Sequence, residues 1–528
     1  MTPRTWRVGL VLGLGAGTVG AQENRHAVDY KLTLTTKILC SAVFVSERDP
    51  VEAIWNSGHL ADMPHEPAKL RTERRGNEVR FEYRFERPGL VRFTAPRITT
   101  DFDRYLEIPL QVTVDRKARV VTARMGDHRA KARFWGDQGC VAQRPDQDSV
   151  YFTPRNVVSA LPPAASQPWP MGDAPAAESG SSAISKAAID EVADLAFAPG
   201  AHTAGMVIVH RGRIIGERYA EGAHRDMQLE SWSMGKSVTA TLLGILIADG
   251  RFKRSDPAPV PAWHVLPDDP RREIRIEHLL RMSSGLRFTS DEAPHTWSRL
   301  ESDHIFVYTG LADVFHHSIT QPLEHPPNTV GRYRNSDPLT LGYLIRRSVE
   351  QSGDDYHAWP QKALFDRIGV RRQVLETDMY GNFVMTGYDY GTPRNWARLG
   401  LLWLRDGVWE GRRILPEGYV DFVRAPAPAW GEPTYGGQFW LNGDCSERRA
   451  ARGCRNPNDP PSKPEFAKRR WNLPADAYFM AGGGGQFVVI VPSLDLVVVR
   501  MGHWRGISRA EPTLNRAFGR LVEVLPVR

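Results

Sequence analysis

The stretch Trp232-Ser233-Met234-Gly235-Lys236-Ser237-Val238-Thr239-Ala240-Thr241-Leu242-Leu243 decides how this chain is read. A serine is followed three residues later by a lysine, just where an apolar helical run begins. Residues i and i+3 share a helix face, so the Lys236 amine can reach the Ser233 hydroxyl. A serine hydroxyl is a weak nucleophile until a neighbouring base takes its proton. A lysine one turn into a helix, screened by Leu242 and its neighbours, is pushed toward neutrality by desolvation and by the positive end of the helix dipole. The neutral amine can then accept the proton. The same helix start presents the Ser233 backbone N–H, one half of an oxyanion hole. Gly235-Lys236-Ser237 also imitates the end of a phosphate-binding loop. That motif needs a glycine five residues before Gly235, where Glu230 stands, so this reading fails.

An SxxK pair also arises by chance at helix starts, and its weight comes from context. Tyr333-Arg334-Asn335 lies 100 residues beyond the serine, and Glu277-His278-Leu279-Leu280-Arg281-Met282-Ser283-Ser284-Gly285-Leu286 lies between them. SxxK, then an HLL-x-x-x-SGL-like stretch, then Y-x-N, in that order, resembles the serine β-lactamase and penicillin-binding superfamily. The similarity is to the branch of class C β-lactamases, DD-peptidases, class VIII esterases and 6-aminohexanoate-dimer hydrolases, and it covers roughly residues 190–528. The resemblance implies an α/β (α+β) fold: an antiparallel sheet flanked by helices, with a helical subdomain. It implies Ser233 as nucleophile, Lys236 and Tyr333 as proton carriers, and Asn335 as the residue positioning the lysine and the substrate carbonyl. No metal or organic cofactor is implied.

The third element of that branch is usually Lys-Thr-Gly or His-x-Gly on a strand lining the site. Here its place is taken by Met480-Ala481-Gly482-Gly483-Gly484-Gly485-Gln486, without a cation or imidazole. Glycines allow close backbone approach, so a backbone N–H in this run, with Gly484 preferred and Gly483 one residue away in register, is expected to supply the second oxyanion donor. Penicillin-type substrates carry a carboxylate that the missing cation helps to bind, which favours a small ester or linear amide over a β-lactam. Tyr388 and Tyr390 read as packing aromatics. His304, His316, His317, His325 and His503 lack metal-ligand spacing and read as surface or core residues. Asp378 and Asp389 have no paired carboxylate that suggests glycosidase work.

Outward from this region the chain changes character. Ile184 to Phe197 has helical spacing, Gly205 to Ala220 reads as strand, turn and strand, and Val238 to Ala248 is an apolar helix. Gln486 to Val491 and Leu496 to Met501 are β-branched strands, and a terminal helix runs from about Ala510 to Leu525. Strands at both ends with helices between predict one domain over 184–528 whose terminal strands meet in a single sheet. Residues 161–183 are rich in Pro, Ala, Ser and Gly and read as a linker. Residues 22–160 form a small β-rich domain. Its strands are expected at Tyr30 to Leu34, Val79 to Phe85, Val112 to Val114 and Val120 to Ala123, where apolar residues alternate.

Residues 1–21 have the plan of a secretory signal: arginines at 4 and 7, an apolar run of about a dozen residues, and Val19-Gly20-Ala21 before Gln22. That run is too short to span a bilayer, and no later segment approaches the roughly 20 residues needed. Export, to the periplasm or beyond, permits disulfides. Nearest-neighbour pairing of the four cysteines, Cys40 with Cys140 and Cys445 with Cys454, is one of three possibilities and the favoured one, because each bridge stays within one region. A net charge of +7, from 68 Lys and Arg against 61 Asp and Glu over 528 residues, is a small and dispersed excess. It argues against a nucleic-acid partner, which draws on concentrated charge. The expectation is an exported serine hydrolase acting on a small-molecule amide or ester. The alternatives are a β-lactamase or DD-peptidase, and a non-catalytic penicillin-binding-type sensor on the same fold.

Overall fold

The computed structural model describes residues 27–58, 69–84, 108–175, 184–289, 303–446, 454 and 461–525. The signal-like segment 1–21 lies outside them, as does most of the insert between Cys445 and Cys454.

The N-terminal region opens with helices α1 (Ala27–Phe44) and α2 (Pro50–Asn56). An antiparallel meander follows: β1 (Arg71–Arg75), β2 (Glu78–Tyr83), β3 (Leu110–Asp115), β4 (Val120–Met125), β5 (His128–Phe134) and β6 (Cys140–Gln143). One face of this sheet is dry. Val79, Phe81 and Tyr83 of β2 and Leu110, Val112 and Val114 of β3 point to α1, while the residues between them face outward. The strand expected at Tyr30 to Leu34 is instead part of α1. The alternation there spans only five residues, and its polar members Lys31 and Thr33 are buried too. The helix is covered by its own sheet on one side and by the rest of the molecule on the other. It therefore carries no polar stripe to mark its period. The Cys40–Cys140 bridge ties α1 to β6.

The second unit is organised by a six-stranded antiparallel sheet. Helix α3 (Lys186–Ala196) leads into β7 (Thr203–His210) and β8 (Arg213–Tyr219), and β9 (Leu229–Glu230) precedes helix α4 (Gly235–Ala248). The helical side comprises α5 (Ile276–Leu280), α6 (Asp303–Thr309), α7 (Val314–Ile319) and α8 (Ser336–Gln351). Then come β10 (Val374–Leu375), β11 (Asp389–Gly391), α9 (Pro393–Leu404), the short hairpin β12 (Val408–Trp409) and β13 (Arg412–Arg413), and α10 (Tyr419–Arg424). The chain closes with β14 (Trp440–Leu441), β15 (Tyr478–Gly482), β16 (Gln486–Val491), β17 (Leu496–Gly502) and α11 (Ile507–Val524). The large sheet has the order β14-β15-β16-β17-β7-β8, so its first and last strands in sequence meet, with Val498 opposite Ile208.

Both faces of that sheet are covered. Phe487, Val489 and Val491 pack under α3 and α11, whereas Val488 and Ile490 pack under α9. A small sheet of order β10-β11-β9 crosses behind the start of α4. The fold is thus the mixed α/β one, antiparallel sheet flanked by helices, preceded by a β-rich region. The described part of the Pro-rich stretch lies along the second unit. Arg371 donates to the carbonyls of Pro162 and Met171, and Arg398 to those of Pro170 and Gly172.

Candidate active site

Ser233 stands in a single tight turn that runs directly into α4. Trp232 before it has φ +50°, a left-handed conformation that a bulky side chain adopts only when its surroundings impose it. The indole is fixed by neighbouring rings, Tyr388 at 5.1 Å, Trp504 at 5.2 Å and Tyr308 at 6.2 Å between centroids. The turn aims the Ser233 hydroxyl into a cavity of about 440 Å³.

The one-turn spacing places Lys236 beneath the serine. Its Nζ donates to Ser233 Oγ at 2.9 Å and to the Thr386 carbonyl at 3.0 Å. The Ser233 hydroxyl lies 3.4 Å from that same carbonyl. Lys236 is only 2% exposed. Burial holds its amine well below the usual lysine range, and the neighbouring Asp389 carboxyl opposes this only in part. Asp389 is itself buried and pushed well upward, by burial first and then by Glu376. Neither Asp389 carboxyl oxygen has a hydrogen-bond partner among the described residues, as befits a neutral acid rather than a buried anion. Gly235 makes this packing possible, because a Cβ there would lie 1.9 Å from Asp389 Oδ2.

Tyr333 and Asn335 arrive from the chain just before α8. Lys236 Nζ lies 4.9 Å from the centre of the Tyr333 ring, which stacks with His304 at 5.8 Å and with Trp440 at 5.3 Å. Asn335 Nδ2 donates to the His304 carbonyl at 2.9 Å and lies 3.4 Å from the Tyr308 hydroxyl. Its Oδ1 is buried with no partner among the described residues. Ser233, Tyr333 and Asn335 all line the cavity.

The glycine run forms the opposite wall. Gly482 ends β15 opposite Gln486, and a Cβ on it would lie 1.9 Å from the Ser231 carbonyl oxygen, so strand and serine turn touch backbone to backbone. Gly482 and Gly483 line the cavity with Ser233. Gly484 sits one residue further into the turn at φ +79°. Its carbonyl and that of Gly485 accept from the buried guanidinium of Arg500, at 2.9 and 2.7 Å.

Several lining residues carried no signal in the sequence. His304, Tyr308, Trp440 and Trp504 make the cavity largely aromatic, while Arg470 and Glu511 form a 2.6 Å ion pair on its wall. Thr386 is invisible in sequence because it acts through its carbonyl. The packing aromatics Tyr388 and Tyr390 are fully buried. The Cys445–Cys454 bridge is formed as expected.

The β-lactamase family model matches residues 188–517, which takes in the serine turn, Tyr333 and the glycine run. The chain belongs to the β-lactamase family. It is a serine hydrolase by that membership, and the match begins only after the N-terminal region. No curated protein matches the chain. Among solved structures, it is similar to a Bacillus anthracis protein provisionally described as a 6-aminohexanoate-dimer hydrolase: 18% identity over 70% of this chain and 89% of that one, TM-score 0.47. It is also similar to EstCE1, described as a hydrolase with promiscuous acyltransferase activity: 14% identity, 63% and 97% coverage, TM-score 0.46. A third is a penicillin-binding protein homologue from Caulobacter crescentus: 14% identity, 64% and 97% coverage, TM-score 0.44.

Proposed function

We propose that this β-lactamase-family hydrolase cleaves an amide or ester through an acyl-enzyme on Ser233. The observation that carries the reading is the 2.9 Å hydrogen bond between the buried Lys236 amine and the Ser233 hydroxyl at the cavity floor. Ser233 Oγ attacks the substrate carbonyl carbon while its proton passes to Lys236 Nζ. The oxyanion is held by the N–H groups of Ser233 and of the glycine run, with Gly483 favoured because it lines the cavity. The proton returns to the leaving amine or alcohol through Lys236 and Tyr333. A water then attacks the acyl-enzyme and releases the acid. Asn335 makes no hydrogen bond to Lys236 here, and its Oδ1, unpartnered among the described residues, is left to position the substrate.

The substrate is a small neutral ester or linear amide with an apolar or aromatic acyl group. The aromatic walls supply the affinity. The Arg470 charge is already matched by Glu511, so among the described residues the cavity wall offers no unpaired guanidinium to a penicillin-type carboxylate. The signal-like N-terminus and the two disulfides support export, and among the described residues no helix is long and apolar enough to cross a membrane.

Fluorophosphonate labelling tests the reading. Rapid labelling of the wild type that is lost in Ser233→Ala supports it, whereas a wild type that no serine-directed probe labels favours a non-catalytic sensor. A p-nitrophenyl ester series beside nitrocefin then reads the substrate class, with faster turnover of the esters expected.

A further inference from the structure

A buried ion pair lies directly behind the serine turn, and half of it comes from outside the family match. Glu376, at the end of β10, is wholly buried, and its partner Lys37 on α1 is 3% exposed. Lys37 Nζ donates both to Glu376 Oε2 and to the Cys140 carbonyl. Ser41, one turn further along α1, donates to both carboxylate oxygens at 2.9 and 3.0 Å, and the Cys140 N–H donates to Oε1 at 2.7 Å. Gly139 permits this approach, since a Cβ there would lie 2.4 Å from Glu376 Cγ. Three residues of the N-terminal region thus close on one carboxylate of the hydrolase unit.

The carboxylate belongs to the segment that holds the nucleophile. The Glu376 N–H donates to the Tyr388 carbonyl at 3.2 Å, and the Lys37 ammonium lies 4.5 Å from the centre of the Tyr388 ring. Tyr388, itself at φ +62°, packs on Trp232. Two residues earlier, the Thr386 carbonyl accepts from Lys236 and Ser233. One residue later, the Asp389 carbonyl accepts from the Ser231 N–H at 2.9 Å. The strap 386–389 therefore contacts the serine turn on both sides, and its outer surface rests on the Lys37–Glu376 pair.

Stability alone does not explain such a pair. Desolvating two charges offsets most of their attraction, and an apolar pair of similar volume is often at least as stable. What the pair does supply is a fixed geometry. We propose that the N-terminal region completes the acylation site: Lys37 and Glu376, with Ser41 and the Cys140 backbone, are positioning residues that clamp the 386–389 strap. The clamp keeps Ser233 and Lys236 in hydrogen-bond register. The inference rests on the acyl-enzyme reading above and extends the working site to residues before 160.

The test is the double variant Lys37→Met/Glu376→Gln, which removes both charges together and leaves none unpaired. Alongside it goes Ser46→Ala, which loses a hydrogen bond to the Gln228 carbonyl at the same interface but does not touch the clamp. Ester turnover and the second-order rate of fluorophosphonate labelling are measured on full-length proteins. The double variant is expected to lose ten-fold or more in kcat and in labelling rate, with KM within two-fold of wild type, while Ser46→Ala keeps wild-type rates. A merely structural pair would lower the melting temperature and leave kcat of the folded fraction unchanged, and that result overturns the proposal. If the double variant does not fold, Ser41→Ala replaces it, with kcat about three-fold down at unchanged KM expected and wild-type kcat overturning. A wild type that is not labelled at all removes the acyl-enzyme reading and this inference together. Labelling of wild type and double variant at equal rates removes the inference alone.

Discussion

The two six-stranded sheets have the same strand count and the same antiparallel pairing, yet they meet solvent differently. In the N-terminal meander, β2 and β3 alternate between core and surface, with one face under α1 and one in water. In the hydrolase sheet every residue of β7, β16 and β17 is buried, because α9 covers one face and α3 with α11 the other. A sheet buried on both sides can hold a strand end rigidly against a helix start, which the serine turn requires. The one-sided sheet cannot do that chemistry itself, but it carries α1, whose buried Lys37 reaches the site from behind. On the proposals above, chemistry and support are divided between the two units.

The strongest way to break this division is to remove the base. Lys236→Met is expected to lower kcat/KM by about 10³-fold, within the range that a positioned general base contributes. Its melting temperature should be little changed, since a neutral buried amine is replaced by an apolar side chain of similar length. In the wild type, kcat/KM should rise with pH through an ionisation lying well below the ordinary lysine value, because only the deprotonated amine accepts the Ser233 proton. A profile whose only rising limb lies at the ordinary lysine value, or an active Lys236→Met enzyme, would assign the base elsewhere.

The contrast between the sheets predicts unequal tolerance. Ile490→Ala, at a fully buried position of β16, is expected to cost about 2–5 kcal/mol in denaturant unfolding. Gln111→Ala, on the open face of β3, should stay within about 0.5 kcal/mol. Equal costs at the two positions would mean that the outer face of the meander is covered in solution.

How much of this was legible follows the same contrast. The strands β2, β3 and β4 announce themselves by alternation, and β16 and β17 by uninterrupted β-branched runs. Helix α1 is hidden because burial on all sides removes the polar stripe that would mark its period. Ser233 and Lys236 stand out by their one-turn spacing, and Tyr333 and Asn335 by their resemblance to the Y-x-N element; all four are side chains, which leave a pattern in sequence. Thr386 could not, since any residue has a carbonyl. Glu376 and Lys37 are 339 positions apart, and nothing local marks either as half of a pair.

The junction between the units also titrates. Glu230 on β9 accepts from Ser57 Oγ at 3.1 Å, and burial pushes its carboxyl up to about 7, with Arg48 and Ser57 opposing the shift. The folded chain therefore holds this proton more tightly than the unfolded chain, whose ordinary value is 4.5. The stabilisation is complete below pH 4.5 and is lost as pH rises from there through 7. A displacement of this size is worth about 3 kcal/mol. Urea unfolding at pH 5 and pH 8 should show most of that decline in the wild type and a flatter response in Glu230→Gln. An unchanged slope would place the titration elsewhere.

A further effect bears on the contact between strand and serine turn. Gly482 is not needed for an unusual backbone angle, since the positive φ values in this turn fall at Gly484 and Gly485. It is needed for space, because the Ser231 carbonyl oxygen occupies the position a Cβ would take, 1.9 Å away. Backbone on both sides leaves no flexible side-chain end to give way, so in Gly482→Ala strand β15 must move off the turn. Overpacking of this kind costs about 1–3 kcal/mol, and kcat/KM is expected to fall about ten-fold as Gly483 retreats from Ser233. Gly484→Ala provides the comparison, because its cost comes from the left-handed angle and not from the serine turn. If Gly482→Ala lowers stability without lowering kcat/KM, the glycine wall serves the fold alone, and the second oxyanion donor lies elsewhere in the cavity.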